Sequence, residues 1–234
     1  MPAPPDRFFA LADQIGVAFD AGDLDLFGRY LDLLLDANTR FNLTAIRDPD
    51  EAWVRHVLDS LTLLPTLSGL DADARIADVG SGGGAPGLPL AIALPNFRFT
   101  LIESTGKKAR FLEETAHTLG LPNVRIVNAR AETAGHDPDL RGRFAAATAR
   151  ALGPMRVALE LVTPLLRPGG LALFIKGEKA PAEITAAAGA LRRLRCAVLD
   201  VAPTPTGRIV VVEQRAPTPD AYPRRPGEPK RDPL

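Results

Sequence analysis

Apolar residues recur along this chain with two different periods. Between residues 6 and 70 they return every three or four positions, in the stretches 8–15, 24–35 and 52–64, which predicts amphipathic helices. Between residue 74 and about residue 214, short apolar runs alternate with helical stretches. These runs predict strands at Arg75–Val79, Arg98–Ile102, Val124–Asn128, Phe144–Ala149, Leu171–Lys176, Cys196–Val201 and Ile209–Glu213.

Alternating strands and helices are typical of an α/β fold, with a mostly parallel sheet and helices on both of its faces. We predict a helical N-terminal extension over residues 1–70 and the α/β domain over residues 71–215. Residues 216–234 are rich in proline and charge and have few apolar side chains to bury. We therefore expect this last segment to be a disordered tail.

The loop after the first predicted strand is unusually rich in glycine. Gly80, Gly82 and Gly84 follow Asp78 at alternate positions. Glycine adopts backbone angles closed to other residues and lets the main chain approach a nucleotide-like ligand at the end of a parallel strand. The spacing fits both the dinucleotide fingerprint and the pattern of S-adenosylmethionine enzymes, and a tight structural turn is a third interpretation.

Features beside the loop favour S-adenosylmethionine over NAD. Pro86 and Pro89 delay the following helix, which disfavours the tight turn that receives a pyrophosphate on its amides. The carboxylate of Asp78 suits a positive sulfonium better than a pyrophosphate, and the alternative is that it only braces the loop by accepting backbone amides.

Two more carboxylates follow the next strands. Glu103 ends the second strand, where it is placed to accept hydrogen bonds from ribose hydroxyls of either cofactor. Glu132 follows the third strand, where it is either an acceptor for the adenine amino group or a solvated loop residue.

Composition narrows the class of protein. Lys+Arg and Asp+Glu both number 28, so any basic surface for nucleic acid must be local. The single cysteine, Cys196, excludes an internal disulfide framework and a cysteine-rich zinc site, and we expect no metal. The chain shows neither an apolar run long enough to span a membrane nor a secretion signal, so we expect a cytoplasmic protein.

Several short motifs follow one another along the chain. They read FNLTAIRD at 41–48, VRHVLDS at 54–60, the glycine loop, GKKARFL at 106–112, ARAE at 129–132, ARA at 149–151 and IKG at 175–177. In this the chain resembles the bacterial ribosomal RNA small-subunit methyltransferase G family, also called glucose-inhibited division protein B. The resemblance implies a Rossmann-like class I methyltransferase sheet and methylation of N7 of a guanine in the 530-loop region of 16S ribosomal RNA, with S-adenosylmethionine as cofactor. Ala85 departs from the pattern, because similar proteins more often carry a larger apolar residue there.

The residues agree with a ring nitrogen as the target. Enzymes that methylate an exocyclic base amine commonly carry an Asp or Asn-Pro-Pro-aromatic loop after the fourth strand, whereas this chain has TARAL at 148–152. Carbon-5 methylation needs a thiol, and Cys196 is better explained as a small buried hydrophobe. Guanine N7 has a free lone pair, so catalysis is expected to consist mostly of alignment.

These arguments together define a candidate site. For the cofactor we predict Asp78, Gly80, Gly82, Ala85, Glu103, Ser104, Thr105, Ala131, Glu132 and Arg150. For positioning guanine or RNA we predict Asn42, His56, Asp59, Lys107, Arg130, Arg150 and Lys176. We assign none of these as an acid or a base.

Structural alternatives stay open for several of these residues. Asn42 also fits a cap of the next turn, and His56 with Asp59 a structural pair on one helical face. Lys107, Lys108 and Arg110 also fit a solvated helix face.

The expected partner is 16S ribosomal RNA or the small ribosomal subunit, with no membrane, and we expect a monomer. Three alternative functions remain: a methyltransferase acting on another RNA or a small molecule, an NAD-dependent oxidoreductase, and a protein that binds the cofactor without turnover. Binding of S-adenosylhomocysteine as against NADH distinguishes the first of these from the second.

Overall fold

The computed structural model describes residues 3–234, which contain a seven-stranded sheet in the order β3-β2-β1-β4-β5-β7-β6. The first five strands are parallel, and β7 is antiparallel to both β5 and β6. The strands are β1 (Arg75–Val79), β2 (Arg98–Ile102), β3 (Val124–Val127), β4 (Phe144–Arg150), β5 (Leu166–Lys176), β6 (Cys196–Thr204) and β7 (Gly207–Gln214). The prediction of a mostly parallel α/β sheet is confirmed.

Helices cover both faces of the sheet. Successive residues of a strand point to opposite faces, and accordingly Ile76 and Ala77 of β1 belong to two different hydrophobic clusters. The N-terminal helices α1 (Asp6–Gln14) and α2 (Asp23–Arg40) contribute to the first cluster. The α-helices that lie between strands in the sequence are α6 (Gly87–Ala93), α7 (Gly106–Leu119), α8 (Ala131–Ala134), α9 (Met155–Val162), α10 (Ala180–Ala186) and α11 (Ala188–Leu194).

The third N-terminal helix differs from a regular α-helix. It comprises α3 (Pro49–Ala52), a π-helix (Trp53–Leu58) and α4 (Asp59–Leu61), and α5 (Leu64–Leu67) follows. A π-turn holds one residue more than an α-turn and often occurs at functional sites. The ring of Trp53 packs against Phe8 of α1, with 5.0 Å between the ring centroids, so the extension shares its core with the π-helix.

The C-terminal segment, residues 216–234, is ordered and ends with the short helix α12 (Glu228–Arg231). Nη1 of Arg141 donates a hydrogen bond to the carbonyl oxygen of Tyr222 (2.8 Å), and Nη2 of Arg141 donates one to that of Thr218 (2.8 Å). The structure therefore corrects the prediction of a disordered tail. Polar groups of the α/β domain hold this segment, and composition alone does not reveal such partners. Among residues 3–234, no helix is both long enough and apolar enough to cross a membrane.

Candidate functional site

The glycine loop leaves the carboxyl end of β1 with left-handed backbone angles. The φ angles are +74° at Gly80, +56° at Gly82 and +102° at Gly84, a region that strains other residues. The hydroxyl of Tyr30 on α2 donates a hydrogen bond to the carbonyl oxygen of Gly83 (3.0 Å). The N-terminal extension therefore supports the loop directly. Tyr30 is not recognisable as a functional residue from the sequence, because there it is one more apolar position of an amphipathic helix.

Glu103 lies directly beside this loop. One carboxylate oxygen accepts a hydrogen bond from the backbone N–H of Gly82 (3.0 Å), and the other accepts one from that of Thr105 (2.7 Å). A carboxylate has about four acceptor positions, so two remain for a ligand. The Glu103 side chain is buried at the tip of β2, where it joins the glycine loop to the loop that begins α7.

Asp78 lies beneath the loop. Its Oδ1 accepts a hydrogen bond from the hydroxyl of Thr148 on β4 (2.9 Å). Its Oδ2 faces Gly87 but makes no well-formed hydrogen bond among the described residues. Burial raises the pKa of Asp78 to about 6, and the hydrogen bond from Thr148 opposes that shift. In this position Asp78 links β1 to β4 beneath the start of α6.

Gly87 starts α6 at a position where a side chain would not fit. A Cβ atom there would lie 2.8 Å from Oδ2 of Asp78 and 3.0 Å from Cγ of Leu101. The absent side chain lets the helix approach β1 and β2 closely. In the sequence Gly87 belongs to the motif Pro86-Gly87 that ends the glycine loop, but the motif does not predict this packing role.

A small cavity lies at the carboxyl ends of β1 and β2, and it is called here the cofactor cavity because several residues predicted to bind the cofactor line it. Its volume is about 200 Å³, and it contains the predicted residues Gly80, Ser104, Ala131 and Glu132 together with Arg130. The rest of its lining, which the sequence did not predict, is Ile102, Ala129, Leu152, Val157, Leu161, Pro229 and Lys230. The other residues predicted for the cofactor are not among its lining residues: Asp78, Gly82, Ala85, Glu103, Thr105 and Arg150.

Glu132 is the buried carboxylate of this cavity. One of its oxygens accepts hydrogen bonds from the backbone N–H of Gly227 (2.7 Å) and from Nη2 of Arg130 (3.2 Å). Burial acts to raise the pKa of Glu132, but these hydrogen bonds outweigh it and lower the pKa. Glu132 is thus a fixed acceptor, not a solvated loop residue.

Arg150 ends β4 and connects the sheet to the π-helix. Nη2 of Arg150 donates a hydrogen bond to Nδ1 of His56 (3.0 Å), and Nη1 donates one to the carbonyl oxygen of Arg55. A carboxylate oxygen of Asp59 lies 3.9 Å from Nη1 of Arg150, and the hydroxyl of Thr206 also donates to Asp59. His56 and Asp59 therefore both hold Arg150, from two positions of the same helical segment.

The partners of His56 fix its protonation state. A guanidinium has donors only, so Nδ1 of His56 must be the acceptor and carries no proton. The other ring nitrogen then donates to the hydroxyl of Thr44 (3.0 Å). Burial, with the charges of Arg150 and Arg55, lowers the pKa of His56 to about 3. His56 is accordingly neutral at physiological pH.

Asn42 is exposed and lies outside this hydrogen-bonded network. Its loop is held instead by Asn38, whose side-chain oxygen accepts from the backbone N–H groups of Leu43 (2.8 Å) and Thr44 (3.0 Å). The role of Asn38 is not visible in the sequence, where it lies just beyond a predicted helix. Asn42 is left free to face solvent.

Lys176 holds the loop that follows β4. Its ammonium group donates to the carbonyl oxygen of Gly153 (2.7 Å) and to the carboxylate of Glu183 (2.8 Å). The same carboxylate accepts from the backbone N–H of Met155 (2.9 Å). This loop carries Leu152 into the cofactor cavity, so Lys176 acts on the cavity through the loop's position.

A groove of about 630 Å³ runs between α2 and α7. Its lining includes Arg40 and Phe41 from α2 and the residue that follows it, and Lys107 and Arg110 from the start of α7. Asn128 also lines the groove, and its side-chain amide donates to the carbonyl oxygen of Glu103 (2.8 Å). The groove therefore opens beside the same strand tip as the cofactor cavity.

A glycine loop after β1, a carboxylate at the tip of β2 and an antiparallel β7 between β5 and β6 define a class I methyltransferase fold. The antibiotic-resistance methyltransferase Kmr has a similar fold: its TM-score is 0.50 at 20% identity, over 67% of this chain and 93% of that chain. A mutant of MtNAS in complex with S-adenosylmethionine gives a TM-score of 0.55 at 13% identity, over 82% of this chain and 72% of that chain.

This chain belongs to the rRNA small subunit methyltransferase G family, whose family model matches residues 23–206. It is 48% identical over 222 residues to the ribosomal RNA small subunit methyltransferase G of Sorangium cellulosum, over 95% of this chain and 92% of that protein. The family resemblance that the sequence motifs indicate is confirmed.

Proposed function

We propose that this protein transfers the methyl group of S-adenosylmethionine to N7 of a guanine in the 530-loop region of 16S ribosomal RNA. Family membership supports the reaction class and the RNA. The structural observation that carries the proposal is the position of Glu103. This buried carboxylate is held beside the glycine loop by the backbone of Gly82 and Thr105 and keeps two acceptor positions.

The described residues suit the parts of this cofactor. A ribose offers two neighbouring hydroxyl donors, which match the remaining acceptor positions of Glu103. An adenine offers flat apolar faces and an amino group, which match the apolar lining of the cofactor cavity and the carboxylate of Glu132. The left-handed backbone at Gly80 and Gly82 leaves room for the ligand at the end of β1. Asp78 places a carboxylate beneath the loop that would carry the positive sulfonium.

When bound, the cofactor supplies an electrophilic methyl group. Guanine N7 carries a free lone pair, so the protein has no proton to remove before transfer. The site agrees with this, because both ring nitrogens of His56 are already hydrogen-bonded. Asp78 is also buried, so it is not placed to accept a proton from the substrate. The protein's contribution is alignment of the two reactants, with Arg150 as the candidate for holding guanine or the cofactor.

The groove between α2 and α7 is the proposed path of the RNA. Lys107 and Arg110 are exposed there and can contact phosphates, and Arg40 lies across the groove. Such contacts fix the position of the RNA without reading its sequence. We propose 16S ribosomal RNA or the small subunit as the partner of a monomeric, cytoplasmic protein.

The test is methyl transfer from labelled S-adenosylmethionine to small subunits taken from cells that lack this modification. The expected product is N7-methylguanine, whose positively charged ring makes the RNA cleavable by borohydride and aniline at one site. Glu103→Ala should weaken binding of S-adenosylhomocysteine by about 1.5–3 kcal/mol. A modified base that resists this cleavage, or tight binding of NADH in place of S-adenosylhomocysteine, would refute the proposal.

A further inference from the structure

The C-terminal segment supplies part of the wall of the cofactor cavity. Pro229 is buried, and both Pro229 and Lys230 line the cavity beside Glu132 and Leu152. These two residues are distant in sequence from the glycine loop and from every motif that carries the family resemblance. They also lie beyond residue 206, where the match to the family model ends.

The α/β domain is shaped to receive this segment. At Gly135 an added Cβ atom would lie 2.8 Å from Cγ of Pro223, so the two backbones approach closely only because Gly135 has no side chain. A ring nitrogen of His136 makes a hydrogen bond with the carbonyl oxygen of Pro223 (2.7 Å). Arg141 spans the same region through its hydrogen bonds to Thr218 and Tyr222.

A buried ion pair fixes the segment to α9. One oxygen of Glu160 accepts from the backbone N–H of Arg224 (2.8 Å) and from its Nε (2.9 Å), and the other oxygen accepts from its Nη2 (2.7 Å). Glu160 is fully buried. A carboxylate so placed is strongly unfavourable without a partner, so the domain depends on Arg224 being docked.

From this anchor the segment reaches the cavity in a few residues. The backbone N–H of Gly227 donates to Glu132 (2.7 Å), and Pro229 follows two positions later. The docked segment therefore sets the position of the one buried carboxylate in the cavity. It also adds an apolar ring to a wall that already contains Val157 and Leu161.

We propose that residues 227–230 are part of the cofactor site and close its adenine end. This inference rests on the proposed function, since it assumes the cofactor contains adenine. With the segment in place, the cavity of about 200 Å³ is smaller than the roughly 300–1,000 Å³ typical of whole-ligand pockets. A flat nucleobase with an amino group is the part of the cofactor that suits an apolar slot ending in a carboxylate. Gly227 is a positioning residue, and Pro229 is a wall residue.

The experiment compares the full chain with a variant that ends after Pro226. This truncation keeps Arg224 and its bonds to Glu160, and removes the bond to Glu132 and the wall residues. Affinity for S-adenosylhomocysteine and for adenosine is measured by calorimetry, and folding by circular dichroism and thermal unfolding. We expect at least a tenfold loss of affinity for both ligands. In turnover assays the KM for the cofactor should rise, while kcat and the KM for RNA stay within about twofold.

Pro229→Gly provides the second test, because it leaves the anchor intact. It should weaken both ligands severalfold, whereas Arg231→Ala, an exposed change in the same helix, should not. Unchanged affinity in the folded truncation and in Pro229→Gly would show that the segment is only structural. Tighter binding in either variant would show that it blocks the site, and either result overturns the inference. If the full chain itself fails to bind S-adenosylhomocysteine, the proposed function fails first.

Discussion

Nδ1 of His56 accepts a hydrogen bond from Nη2 of Arg150 (3.0 Å), although 94 positions separate the two residues. The bond joins the π-helix of the N-terminal extension to the end of β4, beside the buried Asp78 and Thr148. It orients the guanidinium of Arg150, whose side chain is about one fifth exposed. A fixed donor group of this kind is suited to holding a planar ligand.

Arg150→Lys should lower the single-turnover rate of methyl transfer by about 10–100-fold, because an ammonium cannot reproduce a planar fork of donors. Rapid-quench measurement with saturating RNA and labelled cofactor tests this. Arg193→Lys, on the exposed face of α11, is the matched control and should retain the full rate. An unchanged rate in Arg150→Lys would remove Arg150 from the reacting site.

The same rate should be independent of pH between about 6.5 and 8.5, since guanine N7 needs no deprotonation. His56 does not add a limb to this profile, because its pKa is lowered to about 3 and it stays neutral over the whole range. The measurement is the single-turnover rate at half-unit steps of pH. A rate that rises tenfold per pH unit would indicate a titrating base and a different target atom.

Asp78→Asn should stabilise the protein at pH 7 by about 1–3 kcal/mol. Because burial raises the pKa of Asp78 to about 6, the folded state binds a proton more tightly than the unfolded state does. The free energy of unfolding that this group contributes is therefore present at low pH, and is lost as pH rises from about 4 to 6. Urea unfolding across this range measures the loss.

His56, with its lowered pKa, makes the free energy of unfolding change with pH in the opposite direction to Asp78. Both proteins contain His56, so the difference between the variant and the wild type isolates the contribution of Asp78. The variant should lack the decrease that Asp78 causes. Asp13→Asn, an exposed substitution, should leave the pH dependence as in the wild type. If Asp78→Asn were less stable at pH 7, the charged form of Asp78 would be the favoured one.

Gly87→Ala should destabilise the fold by about 1–3 kcal/mol. The added methyl group would lie 2.8 Å from Oδ2 of Asp78 and 3.0 Å from Cγ of Leu101, so α6 must shift away from the sheet. Gly189→Ala is the matched control: it lies in α11 with open space around it, and should raise stability by roughly 0.5–1 kcal/mol. Equal stabilities for the two variants would show that α6 accommodates the methyl group.

Removing the charges of Lys107 and Arg110 together should weaken RNA binding and reduce the slope of log K against log salt by about 2. Binding of S-adenosylhomocysteine should stay near normal, because neither residue lines the cofactor cavity. The double alanine change at Arg192 and Arg193 on α11 controls for net charge. If it weakened RNA binding equally, the proposed RNA path would be wrong.

Local patterns predicted the sheet well. The predicted strands Arg75–Val79 and Arg98–Ile102 coincide with β1 and β2, because each is a short apolar run bounded by charged or turn residues. The glycine loop was recognisable for the same reason, since its backbone angles require residues that are visible in the sequence.

Contacts between distant parts of the chain could not be predicted in this way. The spacing of His56 and Asp59 fits a pair on one helical face, but the segment is partly a π-helix and both residues hold Arg150. The C-terminal segment has a composition typical of disorder, and its order depends on Arg141 and Glu160, which are far from it in sequence. The pattern of a segment does not reveal partners of that kind.

The π-helix at Trp53–Leu58 also bears on how the length of this chain can vary. Its wide turn holds one residue more than an α-turn, so a single deletion within it can leave an ordinary α-turn with the flanking turns still in register. A deletion within a regular helix such as α2 would instead rotate everything before it by about 100° relative to everything after it. The residues at the two ends of the π-helix, Trp53 against Phe8 and Asp59 beside Arg150, can therefore keep their partners when the segment shortens by one residue. The change falls on the side chains inside the turn, among them His56 and its contact with Arg150.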